Sequence, residues 1–257
     1  MKMERYLPAE ILGPFVEHYL FIESEHGMEN RVLPDTGMVM GFRYKGTISD
    51  EIAGIKNNLP TALLTGLRKS VRLINYSGQA ASFLVVFKPG GATTFFKEPL
   101  HELFGVSLAL DTLIGQQKLT EIEEQLAEAS DHFQRIAIIE QFLLSRLYQT
   151  KSDLLIQYAI KHIRLSKGNL RIKELISTLP VSHDSFEKRF RKITGTSPKQ
   201  FSSIVRLRNL IENYDPTVDL TETALAAGYF DQAHFIKDFR TFAGQTPHEF
   251  FKSTIYW

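Results

Sequence analysis

The chain has 257 residues, 43% apolar and 23% charged, with a formal net charge of +1 and no cysteine. That is ordinary globular composition, long enough for one large or two modest domains. It excludes disulfides, cysteine metal sites and thiol nucleophiles, and no apolar run approaches the ~20 residues that span a bilayer.

The opening stretch MKMERYLPAEILGPF has no signal-peptide apolar region, so the expectation is a soluble cytoplasmic protein without membrane contact. The small net charge hides an asymmetry. Residues 1–151 hold 15 Lys and Arg against 18 Asp and Glu, whereas residues 152–257 hold 15 against 11. A basic second half suits a polyanion partner.

Up to about residue 96 the chain reads as strands. PFVEHYLFIES, VLPDTGMVMGFRY, SVRLINYSG and ASFLVVFKPGG are rich in Val, Ile, Phe and Tyr and are broken by Gly, Pro, Asn and Asp. Short strands at this spacing predict a small antiparallel barrel or sandwich. From about residue 99 to 150 the period becomes helical. LTEIEEQLAEAS and DHFQRIAIIEQFLLSRLYQ predict two amphipathic helices, the second about five turns long. Its stripe of Phe133, Ile136, Ile139, Phe142, Leu143 and Leu147 either covers the sheet or meets a partner chain. The polar run YQTKS predicts a domain boundary near residues 148–152, giving domains of 1–150 and 152–257, with Ser152 as the N-cap of the next helix.

Beyond that boundary everything reads as short helices, and one phrase occurs twice. TGTSPKQF begins at Thr194 and AGQTPHEF at Ala243, 49 residues later. Gly195 fits the position just past a helix end, where φ is positive. Ser197 is an N-cap, Pro198 the first helical residue and Gln200 the capping-box partner. Gly244, Thr246, Pro247 and Glu249 repeat each role. The offset extends upstream: Phe186 aligns with Phe235, Phe190 with Phe239, and Ser182 with Asp231. Each copy places a short helix, RIKELISTL or LTETALAAG, before the Phe-striped one, joined by a turn of three or four residues. Two such units predict a pair of helix-turn-helix motifs.

LTETALAAGYFDQAHFIKDFRTFAGQTPHEF resembles the second half of the AraC/XylS-type DNA-binding domain. The hallmarks are Ala224, Gly228-Tyr229, the Asp231-Gln232-Ala233-His234-Phe235 helix, Phe239, and Gly244-Gln245-Thr246-Pro247. The resemblance covers roughly residues 153–252. More loosely, the first half is similar to the cupin-like sensory domain often fused to it. The fold expected is therefore α+β: a cupin-like antiparallel domain with following helices, then an all-α domain of two helix-turn-helix units joined by a central helix.

The resemblance implies a transcription regulator. One rigid helix, here residues 198–214 and ~24 Å long, would tie two recognition helices at residues 183–193 and 232–242. One monomer can then read two successive major-groove segments ~34 Å apart. Side chains facing away from the Phe stripes are the base-contact candidates: His183, Asp184, Glu187 and Lys188 in the first unit, and Gln232, Ala233, His234 and Lys237 in the second. Gln can read adenine and Lys guanine. His234 is equally placed to cap or pack beside the turn. Arg191, Lys192, Lys199, Arg206 and Arg240 are phosphate candidates, with the helix N-termini at Ser197 and Thr246. Two departures stand out. Pro180 lies where the family's first turn has Gly and cannot adopt positive φ, and Asp184 and Glu187 put negative charge on the first reading face. The second unit is therefore expected to bind DNA more strongly. Thr223 stands where an aliphatic residue is usual.

No catalytic chemistry is indicated. His18 and His26 are the only histidines in the strand-rich region and form no metal-ligand pattern, so no metal and no cofactor is expected. An alkyl-acceptor repair protein would need a reactive Cys. KPGGAT at residues 88–93 lacks the Gly-Lys-Ser/Thr ending of a phosphate loop and reads as a strand-end turn. Partners implied are double-stranded DNA, RNA polymerase, a small effector bound in the first domain, and a second copy through that domain. The alternative keeps the first domain as a dimerisation or docking module without ligand. Arg43, Tyr44, Arg72 and Tyr76 lie in strand-like runs, and the sequence does not say which face they take. The effector-binding residues are unknown at this stage.

Overall fold

The computed structural model describes residues 2–52, 54–147 and 153–252. Its first part is one antiparallel sheet of β1 (Lys2–Tyr6), β2 (Val16–Val32), β3 (Val39–Lys45), β4 (Ile48–Ile52), β5 (Ile55–Asn58), β6 (Ala62–Thr65), β7 (Arg72–Phe87) and β8 (Ser107–Ala109). The order is β1-β2-β7-β3-β6-β8, with β4 pairing β7 and β5. Helices α1 (Asp111–Ile114), α2 (Gln116–Glu128) and α3 (His132–Ser145) follow. The α+β architecture expected from the sequence is present.

Three details differ from the sequence reading. SVRLINYSG and ASFLVVFKPGG belong to one strand, β7, because its pairing with β2 runs unbroken past Gly78, which faces His26. The sheet takes a further strand after Pro99, where helix was expected: β8 is too short to show a period but completes the edge beside β6. α3 has 14 residues, about four turns rather than five.

The strands alternate between two faces, as their period-2 geometry requires. On one face Tyr19, Phe21, Phe83 and Val85 form a core with Leu119, Ile122 and Leu126 of α2 and Ile139, Phe142 and Leu143 of α3. Phe21 lies directly opposite Phe83 in the register, and their rings stack at 4.4 Å with an interplanar angle of 3°. The α3 stripe therefore covers the sheet, although its first residue, Phe133, is 70% exposed. On the other face Leu20, Ile22, Ile48, Ile74 and Tyr76 gather into a smaller cluster against which Leu84 packs. Among the described residues no helix of the first part covers this face; it borders a cavity.

The second part contains α4 (Leu154–Leu165), α5 (Ile172–Ser177), α6 (His183–Thr194), α7 (Pro198–Glu212), α8 (Leu220–Ala226), α9 (Gln232–Ala243) and α10 (Pro247–Lys252). The expected N-cap Ser152 and the boundary at 148–152 lie outside the described residues; the residue capping α4 is Asp153, which accepts from the Ile156 amide. Two apolar cores result. Ile156, Ile163, Leu175, Phe186, Phe190 and Phe201 make the first. Ile204, Leu207, Leu210, Ala224, Phe235, Phe239 and Phe250 make the second. α7 feeds both, Phe201 into one and Ile204, Leu207 and Leu210 into the other, so the two units share a strut.

Candidate nucleic-acid interface

Each helix-turn-helix unit is built by local capping. Ser182 Oγ accepts from the Ser185 amide at 3.4 Å to start α6, and Asp231 Oδ1 accepts from the His234 amide at 2.7 Å to start α9. Satisfying an orphan N–H in this way is worth about 1 kcal/mol. The turns before these caps span four residues each, 178–181 and 227–230, within the three or four expected, and differ. In the second unit Gly228 takes φ +79°, a conformation that suits glycine. In the first, the Val181 amide donates to the Leu179 carbonyl at 2.8 Å across Pro180. This three-residue turn needs negative φ at its centre, which proline supplies, so the missing glycine is accommodated by another path.

The exit corners follow the sequence. Gly195 has φ +82° and Gly244 φ +76°, and each amide donates to the carbonyl four residues back, Arg191 and Arg240. Ser197 Oγ then accepts from the Gln200 amide at 3.2 Å. The expected return bond from the Gln200 side chain is not made among the described residues. Thr246 and Glu249 do form the reciprocal box, the Glu249 carboxylate accepting from the Thr246 amide at 2.8 Å. A charged acceptor beside the positive helix terminus is the stronger partner. That bond to the Thr246 amide, with one from the Thr246 hydroxyl, holds the Glu249 carboxyl below its ordinary range.

Burying Phe186 and Phe190, and Phe235 and Phe239, turns the opposite faces of α6 and α9 outward. Gln232, Ala233, His234 and Lys237 are all exposed on α9, and His183, Asp184 and Lys188 on α6. Glu187 is half-buried and accepts from Arg191 Nη2 at 2.6 Å and Nε at 3.1 Å. Its charge and that of Arg191 thus largely cancel. His234 Nε2 lies 3.6 Å from Asp238 Oδ2. Lys192, Lys199 and Arg240 are exposed. Ser197 and Thr246 spend their hydroxyls on the caps. Arg206 is placed differently: its guanidinium lies 4.2 Å over the Tyr229 ring, with Nη2 3.8 Å from Asp238. Phe230, which the sequence reading passed over, is 90% exposed just before the Asp231 cap.

Both exit corners also meet the β domain. A Cβ built on Gly195 would lie 2.8 Å from Met38 Cε and 3.7 Å from Leu67 Cδ1, and one on Gly244 2.8 Å from Val71 Cγ1. The Val71 amide donates to the Phe242 carbonyl at 2.8 Å, and Arg31 donates to Gln245 at 2.9 Å. On α7, Arg208 reaches back to the Pro34 carbonyl at 2.9 Å and to Asp35 at 3.0 Å.

Arg208 also borders the cavity on the uncovered sheet face, which has a volume of about 260 Å³. Arg43, Arg72 and Tyr76, whose orientation the sequence left open, all line it, together with Arg68. Tyr44 points elsewhere, with Arg135 at 4.3 Å over its ring. Arg72 is buried in an ion pair with Asp50, donating to Oδ2 from Nη2 at 2.7 Å and from Nε at 3.0 Å. Among the described residues no cluster of metal-ligating side chains occurs, and no helix is long and apolar enough to cross a membrane.

Comparison with known proteins agrees with this geometry. A family described as a helix-turn-helix domain matches residues 175–253, and a domain of unknown function matches residues 4–109. The Msm operon regulatory protein of Streptococcus mutans is 30% identical over 140 residues, 52% of this chain and 50% of that protein. The match thus spans about half the length of that curated relative. Similar solved structures include unsaturated fatty acid-bound ToxT from Vibrio cholerae strain SCE256, at 12% identity and a TM-score of 0.46, covering 90% of this chain and 93% of that one. Another is the P21 form of ToxT from Vibrio cholerae, at 10% identity and a TM-score of 0.46, covering 97% of this chain and 98% of that one. With its two capped units on a shared strut, the chain carries the matched helix-turn-helix domain over residues 175–253, behind an antiparallel β domain.

Proposed function

We propose that the protein is a cytoplasmic, non-enzymatic transcription regulator that reads two successive major-groove segments with α6 and α9. One observation carries this reading. Two helices, each capped at its start and turned by a positive-φ glycine at its end, present polar faces outward while their Phe stripes enter two cores sharing α7. At about 22 Å, α7 holds the two units apart, and with α6 and α9 packed toward its opposite ends they can address groove segments ~34 Å apart. Base contacts are assigned to His183, Asp184, Glu187, Lys188, Gln232, Ala233, His234 and Lys237. Phosphate contacts are assigned to Lys192, Lys199 and Arg240, to Arg191, which also pairs with Glu187, and to the N-termini at Ser197 and Thr246. Arg206 acts instead by holding Tyr229 and Asp238.

The β domain, residues 1–150, serves as the sensor for a small effector, and residues 152–257 as the DNA-binding domain. The cavity and the contacts from residues 33–35 and 67–71 to the helical domain support this over a docking module without ligand. Dimerisation would use the sheet domain, where Phe133 and Leu144 leave apolar surface open on α3; contact with RNA polymerase is the remaining partner implied by the family. The reading is tested by selecting sites for the full-length chain from random duplexes. The expected product is a bipartite motif with half-sites one helical turn apart. A chain that enriches no motif is not a sequence-specific regulator.

A further inference from the structure

The outward faces of α6 and α9 keep their basic residues at the offset of 49 and change kind beside them. Lys188 corresponds to Lys237 and Arg191 to Arg240. Asp184 and Glu187 of the first copy stand where the second has Ala233 and Ile236. Residues three apart are neighbours on a helix surface. Each pair is therefore one patch: two carboxylates on α6, two apolar side chains on α9.

Ile236 is not a core residue. The buried stripe of α9 is Phe235, Phe239 and Phe242, and Ile236 lies off it, 36% exposed. Side chains on a helix lean toward its N-terminus, so Ile236 leans toward the exposed Ala233. At about 100° per residue, Ile236 and Ala233 fall between Gln232 and Lys237 around the helix, and both of those are exposed as well. The apolar patch is thus continuous with the polar side chains assigned to base contact. The acidic side chains of this unit are held off the patch. Asp231 caps the helix, and Asp238 lies 3.6 Å from His234 and 3.8 Å from Arg206. On α6 the exposed side chains are His183, Asp184, Ser185, Lys188, Arg191 and Lys192, none of them apolar.

Docking a helix into a groove removes water from its outer face. Ile236 and Ala233 can form no hydrogen bond, so a polar base edge set against them would lose its water and gain no partner. Thymine brings a methyl group to the major-groove edge, and apolar side chains read it. We propose that Ile236, with Ala233, reads a thymine C5-methyl in the half-site bound by α9, and that α6 has no methyl reader. Gln232, next to Ala233, suits adenine, so both features favour A·T pairs in this half-site. Asp184 on α6 suits the amino group of cytosine instead. The two half-sites are then different words rather than repeats of one. This deepens the regulator reading and rests on it.

The test uses the full-length protein and the bipartite duplex enriched from random sequence, with affinity read by fluorescence anisotropy. Each thymine is replaced in turn by deoxyuridine, which removes the C5-methyl and keeps the base pair. At one or two thymines, all in one half-site, the dissociation constant is expected to rise about threefold to tenfold, the scale of one buried methyl group. In Ile236→Ala the ratio between the thymine and deoxyuridine duplexes should fall to near one. Lys237→Ala should weaken binding to both duplexes and keep the ratio. A general loss of folding or affinity cancels in that ratio, because both duplexes meet the same protein. If no thymine costs more than about twofold on the unaltered protein, well below a buried methyl, the methyl reader is overturned. That comparison needs no variant to fold. Persistence of the ratio in Ile236→Ala overturns it equally. A sensitive thymine in the other half-site, unmoved by Ile236→Ala, overturns the difference between the two helices. Failure to enrich or bind any duplex instead sinks the regulator reading.

Discussion

The amide of Val71, in the β domain, donates a 2.8 Å hydrogen bond to the carbonyl of Phe242, in the last turn of the second recognition helix. Helix C-termini leave carbonyls without helical partners, and here one of them is satisfied from another domain. The neighbouring Gly244 lets the chain come this close.

Gly244→Ala places a methyl at φ +76° and 2.8 Å from Val71 Cγ1. The left-handed conformation alone costs about 1–2 kcal/mol. Thermal unfolding should show that loss. Hydrogen exchange should show the Val71 amide opening faster, with the Gly195 corner unchanged. Equal protection of Val71 in both proteins would mean that the contact bears no load.

The ranking of the two reading units separates Lys237 from Lys188. Lys237→Ala is expected to weaken DNA binding about tenfold or more, within the ~1–3 kcal/mol of a base contact. Lys188→Ala should do less, because the exposed carboxylate of Asp184 on the same helix already repels phosphate there. If Lys188→Ala abolishes binding while Lys237→Ala is silent, the first unit dominates instead.

Asp50→Ala leaves the Arg72 guanidinium buried without its carboxylate. Breaking such a pair costs about 3–5 kcal/mol, so chemical denaturation should show a drop of that size. The double change Asp50→Leu/Arg72→Met should recover most of it, since the charge rather than the shape is the liability.

Asp153 caps α4 and accepts two hydrogen bonds from Arg189, at 2.6 and 2.8 Å. The Arg189 hydrogen bonds hold its carboxyl below the ordinary range. A depressed carboxyl stabilises the fold above its unfolded value of about 4 and loses that contribution as pH falls through the folded value. Asp153→Asn keeps a capping oxygen but not the charge. It should cost under about 1 kcal/mol at pH 7, with the gap to the unaltered protein closing as pH drops below about 4. A gap that stays constant between pH 7 and pH 2 would show that the charge contributes nothing.

What the sequence by itself determined is the part governed by neighbours a few residues apart. Caps at Ser182, Ser197 and Asp231, positive φ at Gly195 and Gly244, and the Phe186/Phe190 and Phe235/Phe239 stripes each follow from local rules. Their repetition at a fixed offset made the double motif readable. Tertiary structure decided what depends on distant strands and loops. No local period says that Arg72 turns in toward Asp50 while Tyr44 turns toward Arg135, that β7 runs through Gly78 because β2 pairs with it, or that Arg206 lies over Tyr229. Ile236 was hidden for the same reason: beside Phe235 it reads as core, and only the packing of Phe235 and Phe239 leaves it on the outer face of α9.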